Sequence, residues 1–253
     1  RNKVRGDVII FSIVKPSTFT ENRKRMIREE DEEEIVSLEA SFFMNNEYKL
    51  TSFTCGSHSL ELFCLQSAST DFDLTGQIVW PGALLMNDYI CNNSELFQSS
   101  SVLELGSGVG ISGLFCSKFC RQVVLTDHND EILKVLNKNI FHQLSSGNHC
   151  EISAEKLEWG NDNDVTQILK KHRNGFDIIM GADICFQQAS IASMFDTVTR
   201  LLHLRQSHCL FILAYISRAK TMDKLVLKEA RNHGLIVKED KGNKGTIFII
   251  SLI

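Results

Sequence analysis

From Ser101 onward the apolar positions alternate between short unbroken runs and helical spacing. Val102–Leu105 reads as a strand, Val109–Cys120 as a helix and Gln122–Thr126 as a strand. Glu131–Leu144 reads as a helix, with apolar residues at 132, 133, 136 and 140. Phe176–Met180 and Cys209–Tyr215 are apolar strands, each followed by a helical pattern (Ile191–Leu204 and Met222–His233). The last two strands, Leu235–Lys238 and Thr246–Leu252, flank a loop, Lys241-Gly242-Asn243-Lys244-Gly245, of hairpin type. Alternating strands and helices predict a mostly parallel sheet covered on both faces. A closing antiparallel hairpin is unusual for a plain dinucleotide-binding fold.

The first hundred residues follow another pattern. An apolar run, Val8–Val14, precedes a charged stretch, Glu21–Glu34, that is basic first (Arg23, Lys24, Arg25, Arg28) and acidic from Glu29. This stretch reads as a solvated linker, with a docking arm for a partner as the alternative. Two β-like runs follow, Ile35–Met44 and Tyr48–Gln66, joined by the turn formers Asn45-Asn46. Pro81 suits the first turn of a helix through Ala83–Ile90. The expected organisation is a β-rich N-terminal extension over 1–70, with a charged linker at 21–34, and an α/β domain over 71–253.

Composition narrows the classes of function. In 253 residues, 27 basic against 31 acidic side chains give a net charge of −4. That charge exerts no general pull toward nucleic acid or an anionic membrane surface. No apolar run approaches the roughly 18 residues of a membrane span. The eight cysteines are scattered, without a Cys-x-x-Cys pair or zinc-like histidine spacing. They read as reduced thiols of an intracellular, cytoplasmic protein, with the nucleus as a second location. Because it begins at Arg1, the chain reads as a fragment, and it is expected to be a monomer with no metal.

The strongest local signal is Val102-Leu103-Glu104-Leu105-Gly106-Ser107-Gly108-Val109-Gly110. Apolar strand residues run into three glycines, as a sharp turn that must bring its backbone against a ligand requires. Gly108, Gly110 and Gly113 also fit the dinucleotide fingerprint, and Asp127, 19 residues after Gly108, is spaced to hold ribose hydroxyls. Glu104 separates the two readings. A carboxylate there would repel a pyrophosphate but suits a cationic or amine-bearing ligand. Asp127 could instead cap the helix after it, and Asp183 could be only a turn residue.

Four motifs occur in order: Gly76-Gln77-Ile78-Val79-Trp80-Pro81-Gly82-Ala83, the glycine loop, Leu157-Glu158-Trp159-Gly160, and Gly181-Ala182-Asp183-Ile184-Cys185-Phe186. Together they resemble the family 16 methyltransferases, seven-β-strand enzymes that methylate lysines of chaperones, elongation factors and similar non-histone proteins. The resemblance runs from about Phe72 to the C-terminus. It implies a Rossmann-like seven-β-strand sheet and S-adenosyl-L-methionine as cofactor. It further implies that Trp80 closes over the cofactor, while Gly106, Ser107, Gly108 and Gly110 belong to the binding loop beside Glu104. Asp127 would take the ribose hydroxyls, Trp159 would lie near the adenine, and Ala182 would line the site. Asp183 begins the family's Asp-x-x-Tyr signature on the acceptor side. This chain departs from that signature, because Phe186 stands in place of the tyrosine and lacks its hydroxyl.

Methyl transfer needs little from the protein beyond position and electrostatics. Asp183 could attract the lysine ammonium and Phe186 could wall its stem. The expected function is thus methylation of a lysine in a protein partner. The alternatives are a methyltransferase for a small molecule or another side chain, and a cofactor-binding pseudo-enzyme that serves as an interaction module. Neither a nucleic-acid motif nor the Asn-Pro-Pro-Tyr tetrapeptide is present.

Overall fold

A computed structural model of the chain describes residues 48–66, 72–145, 147, 150–205 and 208–253. The expected runs Val8–Val14, Glu21–Glu34 and Ile35–Met44, and the Asn45-Asn46 turn, lie outside the described residues. The run Tyr48–Gln66 is two strands, β1 (Lys49–Cys55) and β2 (His58–Cys64), paired antiparallel. A 3-10 turn over Phe72–Gln77 leads through Trp80 into α1 (Pro81–Asn92) and the short α2 (Ser94–Phe97). The α/β succession follows: β3 (Ser101–Leu105), α3 (Ile111–Cys116), β4 (Gln122–Asp127), α4 (Asp130–Ser145), β5 (Glu151–Lys156) and α5 (Asp162–Lys171). The chain then forms β6 (Ile178–Ala182), α6 (Gln188–Leu202), β7 (Leu210–Tyr215), α7 (Lys220–Asn232), β8 (Leu235–Lys241) and β9 (Thr246–Leu252).

Seven strands form one sheet in the order β5-β4-β3-β6-β7-β9-β8. The first five are parallel, while β9 runs antiparallel to both β7 and β8. Alternate residues of each strand serve opposite faces. Leu103, Ile179, Phe211 and Phe248 pack with α5, α6 and α7. Val102, Val123, Ile178 and Ile212 pack with α1 to α4 and with Leu60, Leu62 and Cys64 of β2. The hairpin β1–β2 is therefore part of the core of one face. Among the described residues no helix is long and apolar enough to cross a membrane.

The central elements follow the apolar pattern, and the differences have local causes. The helix expected over Val109–Cys120 is only Ile111–Cys116, because Gly110 N–H donates back to Ser107 C=O (2.8 Å) and closes a turn first. The strand expected at Phe176–Met180 runs instead from Ile178 to Ala182. Asp177 lies just before it, where its carboxylate accepts from Ser101 N–H (2.8 Å). Gly181 and Ala182 continue the ladder onto Leu213 and Ala214 despite their small side chains. Asp183 consequently follows the strand directly. The edge strand β5 and helix α5 stand where the apolar pattern predicts nothing.

One side chain ties the hairpin to the sheet. Asn139 of α4 is fully buried. Its Oδ1 accepts from Phe63 N–H (2.7 Å), and its Nδ2 donates to Phe63 C=O (3.0 Å) and Val109 C=O (2.9 Å). Asn139→Leu leaves these three backbone groups without that partner. The expected cost is about 3 kcal/mol, read as a lower denaturation midpoint. An unchanged midpoint would mean that the clasp contributes nothing to stability.

Candidate functional site

Loops at the C-terminal ends of the parallel strands enclose a cavity of about 660 Å³. This is the edge at which open α/β sheets bind ligands. The floor is the turn after β3, in which Gly106 and Gly108 adopt positive φ (59° and 53°). Gly108 carries a second constraint, since a Cβ there would lie 2.7 Å from the Gly76 carbonyl oxygen. The 3-10 turn thus crosses directly over the loop, backbone on backbone. Ser107 knits the loop to β4: its Oγ accepts from Thr126 N–H (3.0 Å), and its own N–H donates to Thr126 C=O (2.8 Å).

Two carboxylates at adjacent strand ends reach this floor. Asp127 is buried, with Oδ2 accepting from Gly108 N–H (3.1 Å) and Oδ1 from Asn129 N–H (3.1 Å). The cap of α4 is Asn129, whose Oδ1 accepts from Glu131 and Ile132 N–H. Asp127 therefore braces the loop rather than capping the helix. Glu104 is 3% exposed and accepts from Gly113 N–H (3.1 Å) of α3. Burial pushes its carboxyl up to about 8, although the bonds from Ser107 and Gly113 work against the shift. The nearby Asp127 charge pushes it in the same direction as burial.

The walls bring the other expected residues together. Trp80 lies in the strap between the 3-10 turn and α1, with Nε1 donating to Thr75 C=O (2.8 Å). Trp159, on the loop after β5, stands so close to Gly106 that a Cβ there would meet its ring at 3.2 Å. Ala182, Asp183 and Phe186 follow β6 on the remaining side. Phe186 is 46% exposed and forms part of the mouth. Among the expected site residues Gly110 alone is absent from the cavity wall. It packs beneath the loop toward Leu114, Leu125 and Leu136.

Asp183 is held more tightly than the sequence suggests. Its side chain is 2% exposed, and its backbone takes a positive φ of 59°, which Asp tolerates better than most residues. Oδ2 accepts from Gly82 N–H (2.7 Å), and Oδ1 accepts from Arg218 Nη1 (2.7 Å). Only glycine fits at position 82, because a Cβ would come within 2.7 Å of Asp183 Cγ. Arg218, in the loop after β7, also lies 5.6 Å from the centre of the Trp80 ring. Sequence reasoning missed this arginine. The usable signal was its place just past a parallel strand, on the ligand-binding edge.

Comparison with known proteins agrees with this geometry. A family model described as lysine methyltransferase matches residues 61–233. Methyltransferase-like protein 22 of Mus musculus is 26% identical over 163 residues, covering 59% of this chain and 41% of that protein. A protein-lysine N-methyltransferase of Chaetomium thermophilum is 29% identical over 146 residues, covering 55% and 42% respectively. The match thus spans about two fifths of the length of each of these relatives. Among solved structures, a T. thermophilus 16S rRNA methyltransferase in complex with AdoMet and guanosine gives a TM-score of 0.55 at 14% identity. It covers 82% of this chain and 51% of that one. At that identity the likeness is one of fold.

Proposed function

Because the chain belongs to the lysine methyltransferase family, we propose that it binds S-adenosylmethionine in this cavity and methylates a lysine of another, non-histone protein. One observation carries the reading. Two buried carboxylates, Glu104 and Asp127, reach a cavity whose floor is the bare backbone of Gly106 and Gly108. A pyrophosphate would gain nothing from Glu104 and would be repelled by its ionised form, whereas a ligand with cationic groups and ribose hydroxyls finds an acceptor for each.

The cavity volume is that of an ordinary cofactor site. Asp127 has lone pairs left after its two backbone bonds, and these would take the ribose hydroxyls. Glu104 would face a positive group. Trp80, Trp159 and Ile132 supply apolar wall. When bound, S-adenosylmethionine supplies a methyl group already activated on a sulfonium. The chain's contribution is alignment, which can account for on the order of 7–11 kcal/mol of a barrier. Trp80 and Phe186 narrow the mouth against water, and Phe186 offers an apolar face to the lysine stem. No strong base is required, since a positive sulfonium nearby would favour loss of the proton once the ammonium has entered.

Calorimetry is expected to give S-adenosylmethionine and its demethylated product a micromolar constant, about −8 kcal/mol, and NAD none. The reverse result would sink the cofactor reading. Incubation with tritiated cofactor and a proteome extract is expected to label protein at lysine. Label confined to RNA or small molecules would overturn the acceptor half alone.

A further inference from the structure

The carboxylate that would receive the lysine ammonium already has a cation on it. Arg218 Nη1 sits 2.7 Å from Asp183 Oδ1, while Oδ2 is committed to Gly82 N–H. With the guanidinium in place the pair is neutral, so an arriving ammonium meets no net attraction and a like charge beside the acid. The two partners differ sharply in exposure. The Asp183 side chain is 2% exposed and fixed by its backbone bond, whereas that of Arg218 is 42% exposed. Arg218 can therefore leave while Asp183 stays. In this same pose the guanidinium carbon is 5.6 Å from the Trp80 ring centre, a contact that attracts cations and does not depend on Asp183.

We propose that Arg218 is an exchangeable gate: it occupies Asp183 Oδ1 until the substrate's lysine ammonium displaces it, so that lysine entry and release of the arginine are one event. The inference rests on the lysine-acceptor reading above. It makes Arg218 a positioning residue that acts through Asp183. It also means that the empty site presents no unmatched buried charge. Without the gate, free amines and stray lysines would find an open carboxylate. With it, an acceptor must offer enough additional contact to displace the guanidinium.

The test uses n-butylammonium, a mimic of the lysine side chain, titrated in the presence of S-adenosylhomocysteine and followed by tryptophan fluorescence. Both tryptophans of the chain, Trp80 and Trp159, line the cavity. Arg218→Met is expected to tighten butylammonium binding about tenfold, the worth of a charged hydrogen bond relieved of its competitor. S-adenosylhomocysteine affinity should stay within about threefold. Adding Asp183→Asn should erase the gain, and Arg218→Lys, which keeps the charge, should behave as the wild type. Should the Met variant fail to fold, Arg218→Gln removes the charge and keeps a polar end. Unchanged or weaker butylammonium binding without the arginine charge would overturn the gate, as would a gain that survives Asp183→Asn. A wild-type chain that does not bind S-adenosylhomocysteine would overturn the functional reading itself, and the gate with it.

Discussion

At about pH 7, cofactor binding is expected to expel close to one proton from the wild-type protein and none from a Glu104→Gln variant. Burial holds the Glu104 carboxyl protonated up to about 8 in the ligand-free chain. A positive ligand group at the cavity floor favours the carboxylate and drives the proton off. Affinity should accordingly rise with pH up to about 8 and then level off. Calorimetry in buffers of different ionisation enthalpy measures the proton directly. A binding heat independent of buffer would show that Glu104 does not face the charge. The same group makes stability depend on pH. Unfolded Glu104 titrates near its ordinary 4.5 and the folded residue near 8, so the native chain holds the extra proton between these values. Its contribution is whole below about pH 4.5 and is lost as pH rises toward 8, by at most on the order of 5 kcal/mol. The Gln variant should escape that loss and be the more stable protein at about pH 8.5.

Asp127→Ala is expected to lower cofactor affinity at least about a hundredfold. Two charge-assisted bonds to ribose hydroxyls, at about 1.5–3 kcal/mol each, would disappear. Folding should suffer as well, because Gly108 and Asn129 N–H both donate to this carboxylate. A loss of roughly 2 kcal/mol in unfolding free energy is expected. Asp127→Asn separates the two effects, since it keeps an acceptor for the backbone but not the charge. It should recover part of the stability, because its one amide oxygen can accept from only one of the two N–H groups, and little of the affinity. If Asp127→Ala unfolds more easily yet binds the cofactor normally, the residue is only a brace for the loop.

The parts of the site written in contiguous residues were legible in the sequence. The strand into Gly106-Ser107-Gly108, the acid at the end of β4 and the closing hairpin each have a local signature, and each stands where the pattern puts it. What escaped depends on neighbours distant in the chain. The Asp183 contacts reach back 101 residues to Gly82 and forward 35 to Arg218, and no spacing rule connects them. Strand β5 has a different excuse. As an edge strand, Glu151-Ile152-Ser153-Ala154-Glu155-Lys156 is half-exposed over most of its length, so its apolar content is too low to stand out. Helix α5 did carry a signal. Asn161 accepts from Asn163 and Asp164 N–H, two acids follow in the first turn, and Lys170 and Lys171 end the helix. Its apolar stripe is short, with Val165 and Ile168 as the buried residues.

The amide side chains of α4 have a consequence for how this chain meets its own copies. Among the described residues strand β2 pairs with β1 along one side only. On its other side Asn139 takes both polar groups of the Phe63 backbone, and Gln143 Nε2 donates to Glu61 C=O (2.6 Å). Those are groups through which a free strand edge recruits another strand, the usual start of β aggregation. Here a helix supplies carboxamides where a third strand would supply peptide groups. A second molecule approaching this margin at Glu61 and Phe63 finds three of its backbone groups already bonded, so the ladder is blunted there.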